Sequence, residues 1–290
     1  MQPLFDTGLL IERRRRALAR AVPGADFLLT RVAEELGERL AGVERRFHDA
    51  VTVFCVTPAA REAVLASGRV EKVQRIEADE AFLAGAPGIV AEPETLPLEP
   101  ASIDLAVSLL ALQEANDIPG MLAQMRRALK PDGLFMGAMA GAGTLSELRE
   151  SLLAAETELC GGASPRVIPF TDVRDAGALL QRAGFALPVA DVDMVTVRYD
   201  TMFDLMSDLQ AMGATSALVD RPRQPATRRL FQRAAEIYAE RFSDPDGRVR
   251  ATFSIVWLAG WAPDASQQKP LKPGSAQVSL AKILEEKKDD

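Results

Sequence analysis

The sequence predicts an α/β fold, a seven-stranded, mainly parallel sheet with helices on both faces. Three observations carry that expectation. Short β-branched runs such as Ala50-Val51-Thr52-Val53-Phe54-Cys55-Val56 show no polar alternation, as befits strands covered on both faces. Amphipathic segments alternate with these runs, and the turns between them are short. At 290 residues with 48% hydrophobic composition, the chain has material for a large core and is long enough for one or two domains.

The elements follow in order. Phe27, Leu28, Val32, Leu36 and Leu40 recur at helical spacing between charged residues, predicting an amphipathic helix over 25–40. A strand over 50–56 is followed by a helix whose start, Thr57-Pro58, offers a capping hydroxyl and a first-turn proline, and whose end is Ser67-Gly68. Strands over 70–76 and 89–91 end at Glu77 and Glu92, with an acidic loop or short helix over 78–83 between them. A fourth strand over 103–110 precedes a helix over 118–129, stopped by Lys130-Pro131-Asp132-Gly133, and a fifth strand over 134–139. Gly137, Gly141 and Gly143 then lead to Thr144-Leu145-Ser146-Glu147, whose spacing is that of a capping box opening a helix to about residue 158. That glycine-rich turn reads as a strand-to-helix connection or as an anion cradle at a helix start. A helix over 172–183, a strand over 189–199, helices over 201–212 and 224–242, and a last strand over 252–261 complete the pattern.

The expected organisation is an N-terminal helical segment over 1–49, one large domain over 50–262 with a helical insertion over 201–242, and a polar tail over 263–290. Within the tail an apolar stretch, 278–284, is expected to dock. The ligand crevice of such a sheet lies at the carboxyl ends of the first strands.

Charge and composition narrow the function. Lys and Arg total 34 against 41 Asp and Glu, a net charge of −7, which makes a poor generic nucleic-acid binder. Two cysteines, Cys55 and Cys160, form one disulfide at most and build no zinc or iron–sulfur set, which fits a reducing, cytoplasmic compartment. Neither is placed as a nucleophile, since no base lies in evident reach. The single histidine, His48, rules out a two-His iron triad and is expected on an exposed loop. No apolar stretch approaches the 18 or so residues that span a bilayer, and the N-terminus lacks the pattern of a secretory signal. Arg13, Arg14, Arg15 and Arg16, with Arg20, make a dense basic run, expected either as a solvated turn or as a contact for an acidic client or a membrane surface.

Specific words go further than the layout. Ala91-Glu92-Pro93-Glu94-Thr95-Leu96-Pro97, Ser102-Ile103-Asp104-Leu105-Ala106-Val107-Ser108, Asn116-Asp117-Ile118-Pro119, Leu129-Lys130-Pro131-Asp132-Gly133 and Thr144-Leu145-x-Glu147-Leu148-Arg149 stand in the first half. Gly161-Gly162-x-Ser164-Pro165, Pro169-Phe170-Thr171, Arg182-Ala183-Gly184-Phe185, Met202-Phe203-Asp204-Leu205-Met206-x-Asp208-Leu209-Gln210-x-Met212-Gly213 and the tail's Gly274-Ser275-Ala276-x-Val278-Ser279 continue the series. Together they resemble one group of class I S-adenosylmethionine-dependent methyltransferase-like proteins. That group contains the arginine-hydroxylase assembly factor of mitochondrial respiratory complex I and its bacterial relatives, and lies near the malonyl-carrier methyltransferases of biotin synthesis.

The resemblance implies a Rossmann-like class I fold, S-adenosylmethionine as cofactor and a set of binding positions. Glu77 stands where the family's acid accepts from ribose hydroxyls, Glu92 where an acid faces the adenine amine, and Ser108 falls among the contacts at the fourth strand. Cys55, Thr57 and Ala59 occupy the places of the family's turn glycines, Val53 that of its acid, and Gln113-Glu114 the place of a His or Gln followed by Trp. Side chains at three glycine positions add bulk where the backbone approaches the cofactor's methionine. The expected function is therefore that of a complex I assembly-type protein that acts on or holds a protein client, such as an iron–sulfur subunit of NADH dehydrogenase, with a degenerate S-adenosylmethionine site. An active methyltransferase with a rebuilt cofactor turn stays open as the alternative. Both readings place the protein in the cytoplasm, with a peripheral contact to the inner membrane through the arginine run.

Overall fold

The computed structural model describes residues 2–222 and 225–268. The expected apolar stretch over 278–284, the Gly274-Ser275-Ala276 word and residue 224 at the start of one expected helix lie outside the described residues.

Seven strands form one sheet: β1 (Phe47–Val53), β2 (Val70–Glu77), β3 (Ile89–Val90), β4 (Ile103–Leu109), β5 (Leu129–Ala140), β6 (Ala186–Tyr199) and β7 (Val249–Trp261), in the order β3-β2-β1-β4-β5-β7-β6. The first five pair in parallel. β7 enters antiparallel between β5 and β6, so the expectation of a mainly parallel sheet holds. The order reverses between β1 and β4, and there an open α/β sheet leaves a crevice at its carboxyl edge.

Helices cover both faces because every central strand is apolar on both. α2 (Phe27–Ala41), α3 (Ala59–Ala66), α6 (Ser146–Cys160) and α9 (Arg228–Phe242) pack on one face, where Leu36, Leu40, Leu105, Ala155 and Ala234 are fully buried. α5 (Ile118–Ala128) and α7 (Val173–Arg182) pack on the other, over Met121, Leu122, Phe135 and Leu180. α8 (Met202–Ala211) and α9 lie between β6 and β7 in the chain, and Met202 and Leu205 join the first core.

A strap crosses the carboxyl edge of the sheet. α1 (Thr7–Arg20) begins at Asp6, whose side chain accepts from the Leu9 amide at 3.0 Å. The Leu4 and Phe5 amides both donate to Asn116 Oδ1 at 2.8 Å, and Phe5 bridges to Leu218. A small third core of Phe5, Leu10, Ile168, Ala217 and Leu218 seals that contact.

Three local expectations are corrected. The first strand stops at Val53 rather than Val56, because Phe54 and Val56 adopt left-handed conformations with φ of 54° and 65° and the chain turns out of the ladder. His48 lies on β1 rather than on a loop, though it is exposed, with Asp49 at 2.8 Å and Glu71 at 3.4 Å. The Thr144–Glu147 spacing does not form a capping box: α6 starts at Ser146 after a left-handed Leu145, and no side chain caps it. Thr144 Oγ1 donates to Ser254 O and accepts from Ser254 N, while Glu147 accepts from the Thr252 amide and hydroxyl, so both residues bind α6 to β7.

Candidate functional site at the carboxyl edge of the sheet

A cavity of about 780 Å³ opens at the switch point. Its floor is Cys55, Val56 and Thr57 after β1, Leu109 and Leu110 at the end of β4, and Ala140 at the end of β5. Arg13, Arg14 and Leu18 of α1 roof it, and Leu145, Leu148, Met206 and Leu209 form walls.

Of the residues assigned to the cofactor, Cys55 and Thr57 reach this cavity, while Ala59, Glu77, Glu92 and Ser108 lie off its lining. Glu77 is turned into the protein. Its Oε1 accepts from Arg75 Nη2 at 2.9 Å and its Oε2 from the Val56 amide at 3.0 Å, with both side chains of the pair essentially inaccessible. Arg75 also donates to the carbonyls of Phe82, at 2.7 Å, and Val56, at 3.3 Å, which fixes α4 (Glu80–Leu83) and the post-β1 turn together. Burial pushes the Glu77 carboxyl up to about 7 against the pull of Arg75. Arg75 Nε is left buried without an acceptor among the described residues.

Glu92 is exposed beyond β3. Ser108 is fully buried and donates to Val53 O at 3.2 Å, tying β4 to β1 inside the sheet. Gln113 closes the end of β4 through Leu110 O, and Glu114 pairs with Arg14 of the roof. Cys55 is buried, its thiol between Val53 O and the Leu109 amide, and burial pushes it up to about 12. That agrees with an inert cysteine.

Several amides of the turn after β1 have acceptors within the chain. In the turn after β1 the Val56 amide goes to Glu77, the Thr57 amide to Cys55 O at 2.7 Å, Pro58 has no N–H, and the Ala59 amide goes to Thr57 Oγ1 at 3.4 Å. The residues at the three glycine positions do not themselves need positive φ, since the bends fall at Phe54 and Val56. After β5, the amides of Gly141, Ala142, Thr144, Leu145 and Ser146 all donate to backbone carbonyls, as in a strand-to-helix connection. Glu77 stands at the end of β2, where the resemblance places the ribose acid, with both oxygens bonded inside the protein. Among the described residues, no three His, Cys, Asp or Glu side chains converge as metal ligands.

The arginine run divides. Arg13 and Arg14 face the cavity, whereas Arg15 and Arg16 are exposed beside Asp79 and Glu12. Sequence reading missed Arg75, although an Arg and a Glu two apart in an apolar strand share one face and can pair there.

Sheet order and crevice define a class I methyltransferase-like protein. A family model described as a methyltransferase domain matches residues 36–137. A putative methyltransferase from Bacillus halodurans superposes with a TM-score of 0.55 over 79% of this chain and 98% of its own, at 15% identity, which shows the fold. The zebrafish (Danio rerio) mitochondrial arginine-hydroxylase NDUFAF5 is 39% identical over 89% of this chain and 82% of its own length, and the human protein of the same name is 36% identical over 97% and 83%. A malonyl-[acyl-carrier protein] O-methyltransferase from Laribacter hongkongensis is 37% identical over 74% and 67%. The chain belongs to the methyltransferase-fold family of the arginine-hydroxylase NDUFAF5 proteins. No helix among the described residues is long and apolar enough to cross a membrane.

Proposed function

We propose that this protein acts on or holds a protein client, an iron–sulfur subunit of the respiratory NADH dehydrogenase, and that it does so with a degenerate S-adenosylmethionine site. The observation that carries the reading is the fate of Glu77: both carboxylate oxygens are spent on Arg75 and the Val56 amide. A ribose diol would have to open a site whose side chains are closed to solvent before it could reach that carboxylate. The family's printed activity, arginine hydroxylation, supports an arginine-bearing protein as the client class. Two unpaired cysteines agree with work in the reducing cytoplasm, and the exposed Arg15 and Arg16 are available to a client or a membrane surface.

Two experiments test this. Calorimetric titration with S-adenosylhomocysteine is expected to show no micromolar binding, since each lost or blocked contact costs about 1–3 kcal/mol. A low-micromolar dissociation constant abolished by Glu77→Ala would overturn it in favour of an active methyltransferase. Deleting the gene is expected to lower assembled NADH dehydrogenase, and unchanged assembly with unchanged arginine modification of its iron–sulfur subunits would reject the client.

A further inference from the structure

We propose that the tail segment 278–284 docks on the open edge of β6 as an eighth strand, parallel to it, and closes that edge to other chains. The inference is independent of what fills the crevice between β1 and β4.

β6 is the last strand of the sheet, and among the described residues no strand pairs with its outer side. From Val189 to Tyr199 it follows β7 residue for residue, and its one irregularity lies before Val189. That stretch holds no proline, glycine or lysine, so it lacks the residues that ordinarily blunt an edge. Its two acids are already met from α2: Asp191 pairs with Arg39 at 2.8 Å and Asp193 with Arg31 at 3.5 Å. Four of the ten large apolar side chains that stand exposed among the described residues gather here, Leu187, Val189, Val192 and Met194. Val192 and Met194 share one face, opposite Val256 and Ser254 of β7, while Asp191, Asp193 and Val195 share the other. An edge this long, regular and apolar is a template for one more strand.

The tail supplies a matching strand within reach. Just before the last described residue, Gln267 donates to Asp132 Oδ1 at 2.9 Å and to Ala262 O at 2.8 Å, which holds the chain beside the end of β7. Trp261 closes β7 opposite Ala186, the first residue of β6, so the tail leaves the sheet at the end where β6 begins. Residues 269–277 then give a reach of at most about 33 Å. Three strand spacings of about 4.8 Å and about 10 Å along β6 bring Val278 beside Val189, well inside that reach. An antiparallel strand would start near Val195, about 20 Å further along, and would stretch the linker to its limit. In the parallel register Lys282 lies beside Asp193, Ala281 beside Val192, Ile283 beside Met194 and Leu284 beside Val195. The segment's one cation meets the acids of the edge, and its apolar side chains cover exposed hydrocarbon. A slip by one residue would set Lys282 against Val192 or Met194 instead.

Disulfide trapping on the full chain tests this, in a Cys160→Ser background because Cys160 is exposed whereas Cys55 is buried. Met194→Cys with Ile283→Cys is expected to form a disulfide within one chain on mild oxidation, since neighbouring strands fall inside the Cα span of about 4.4–6.8 Å that a disulfide bridges. Met194→Cys with Ser279→Cys, four residues out of register, is expected to stay reduced. Hydrogen exchange gives an independent reading: the amides of β6 from Val189 to Val195 should exchange at least tenfold faster in Ile283→Asp, a change confined to the tail, than in the wild type. Disulfides between chains, or protection of β6 that rises with protein concentration, would assign the edge to a second copy and overturn the proposal. Equal trapping of both pairs, trapping of neither, or identical exchange in the wild type and Ile283→Asp would overturn it as well.

Discussion

Arg75 and Glu77 project from the same face of β2 and meet 2.9 Å apart with side chains only 1% and 0% exposed. An ion pair so far from water is costly to assemble and costlier to break, because removing one partner strands the other charge in a low-dielectric site. The pair clamps the turn after β1, through the Val56 amide and carbonyl, to α4 through the Phe82 carbonyl.

The first prediction tests that clamp. Glu77→Ala should destabilise the protein by about 3–5 kcal/mol, whereas Arg75→Met combined with Glu77→Leu should recover most of the loss. Urea unfolding of the wild type and the two variants measures it. Wild-type stability in Glu77→Ala would return Glu77 to the role of a free ligand-binding acid.

Protonation of Glu77 gives a second prediction. Burial raises its folded pKa to about 7, above the ordinary carboxyl value, so between the two the native state holds a proton that the unfolded chain has released. The contribution of this group to stability is therefore fully present below the unfolded value and declines as pH rises through about 7. Denaturation midpoints between pH 5 and 8 should contain that decline in the wild type and lack it in Glu77→Gln. Parallel profiles would show that Glu77 does not titrate there.

Thiol chemistry separates the two cysteines. Cys55 is buried with a thiol pushed up to about 12, while Cys160 is exposed at the end of α6. Iodoacetamide at pH 8 should label Cys160 and leave Cys55 unmodified until the protein is unfolded. Mass spectrometry of the native digest reads this directly, and fast labelling of Cys55 would mean that the turn after β1 opens.

The ties between α6 and β7 give the fourth prediction. Glu147→Ala and Thr252→Val each remove a partner from the carboxylate–hydroxyl contact, and Glu147→Ala also takes the acceptor from the Thr252 amide. Each should cost about 1–3 kcal/mol, and the double variant should cost less than the sum by at least about 0.5 kcal/mol. A strictly additive cycle would show that the two side chains act independently.

Much of the fold was legible because its signals are local. Hydrophobic periodicity located the strands and helices, among them the helix expected over 118–129, which the structure caps with Asp117, whose side chain accepts from the Gly120 amide at 2.8 Å. The family words carried the class I architecture and the importance of the turn after β1. Strand ends were less legible: nothing in Phe54 or Val56 advertises a left-handed conformation, which side chains of their shape ordinarily avoid.

The sequence by itself determined which segments are apolar on one face or on two, and hence a seven-stranded α/β sheet with a glycine-free turn after its first strand. Only the tertiary structure decided where the polar side chains spend their hydrogen bonds. Thr144 and Glu147 have the spacing of a helix cap, yet β7, more than a hundred residues on, offers them buried backbone and hydroxyl partners. The resemblance places Glu77 as a ribose acid, yet in the fold it bonds Arg75 and the Val56 amide in a buried site. Arg13 and Arg14 belong to one basic run, yet Arg14 pairs with Glu114 while Arg13 donates to the carbonyls of Thr215 and Ser216. A side chain's type and spacing fix what it is able to bond; burial, which removes water as the competing partner, fixes what it does bond.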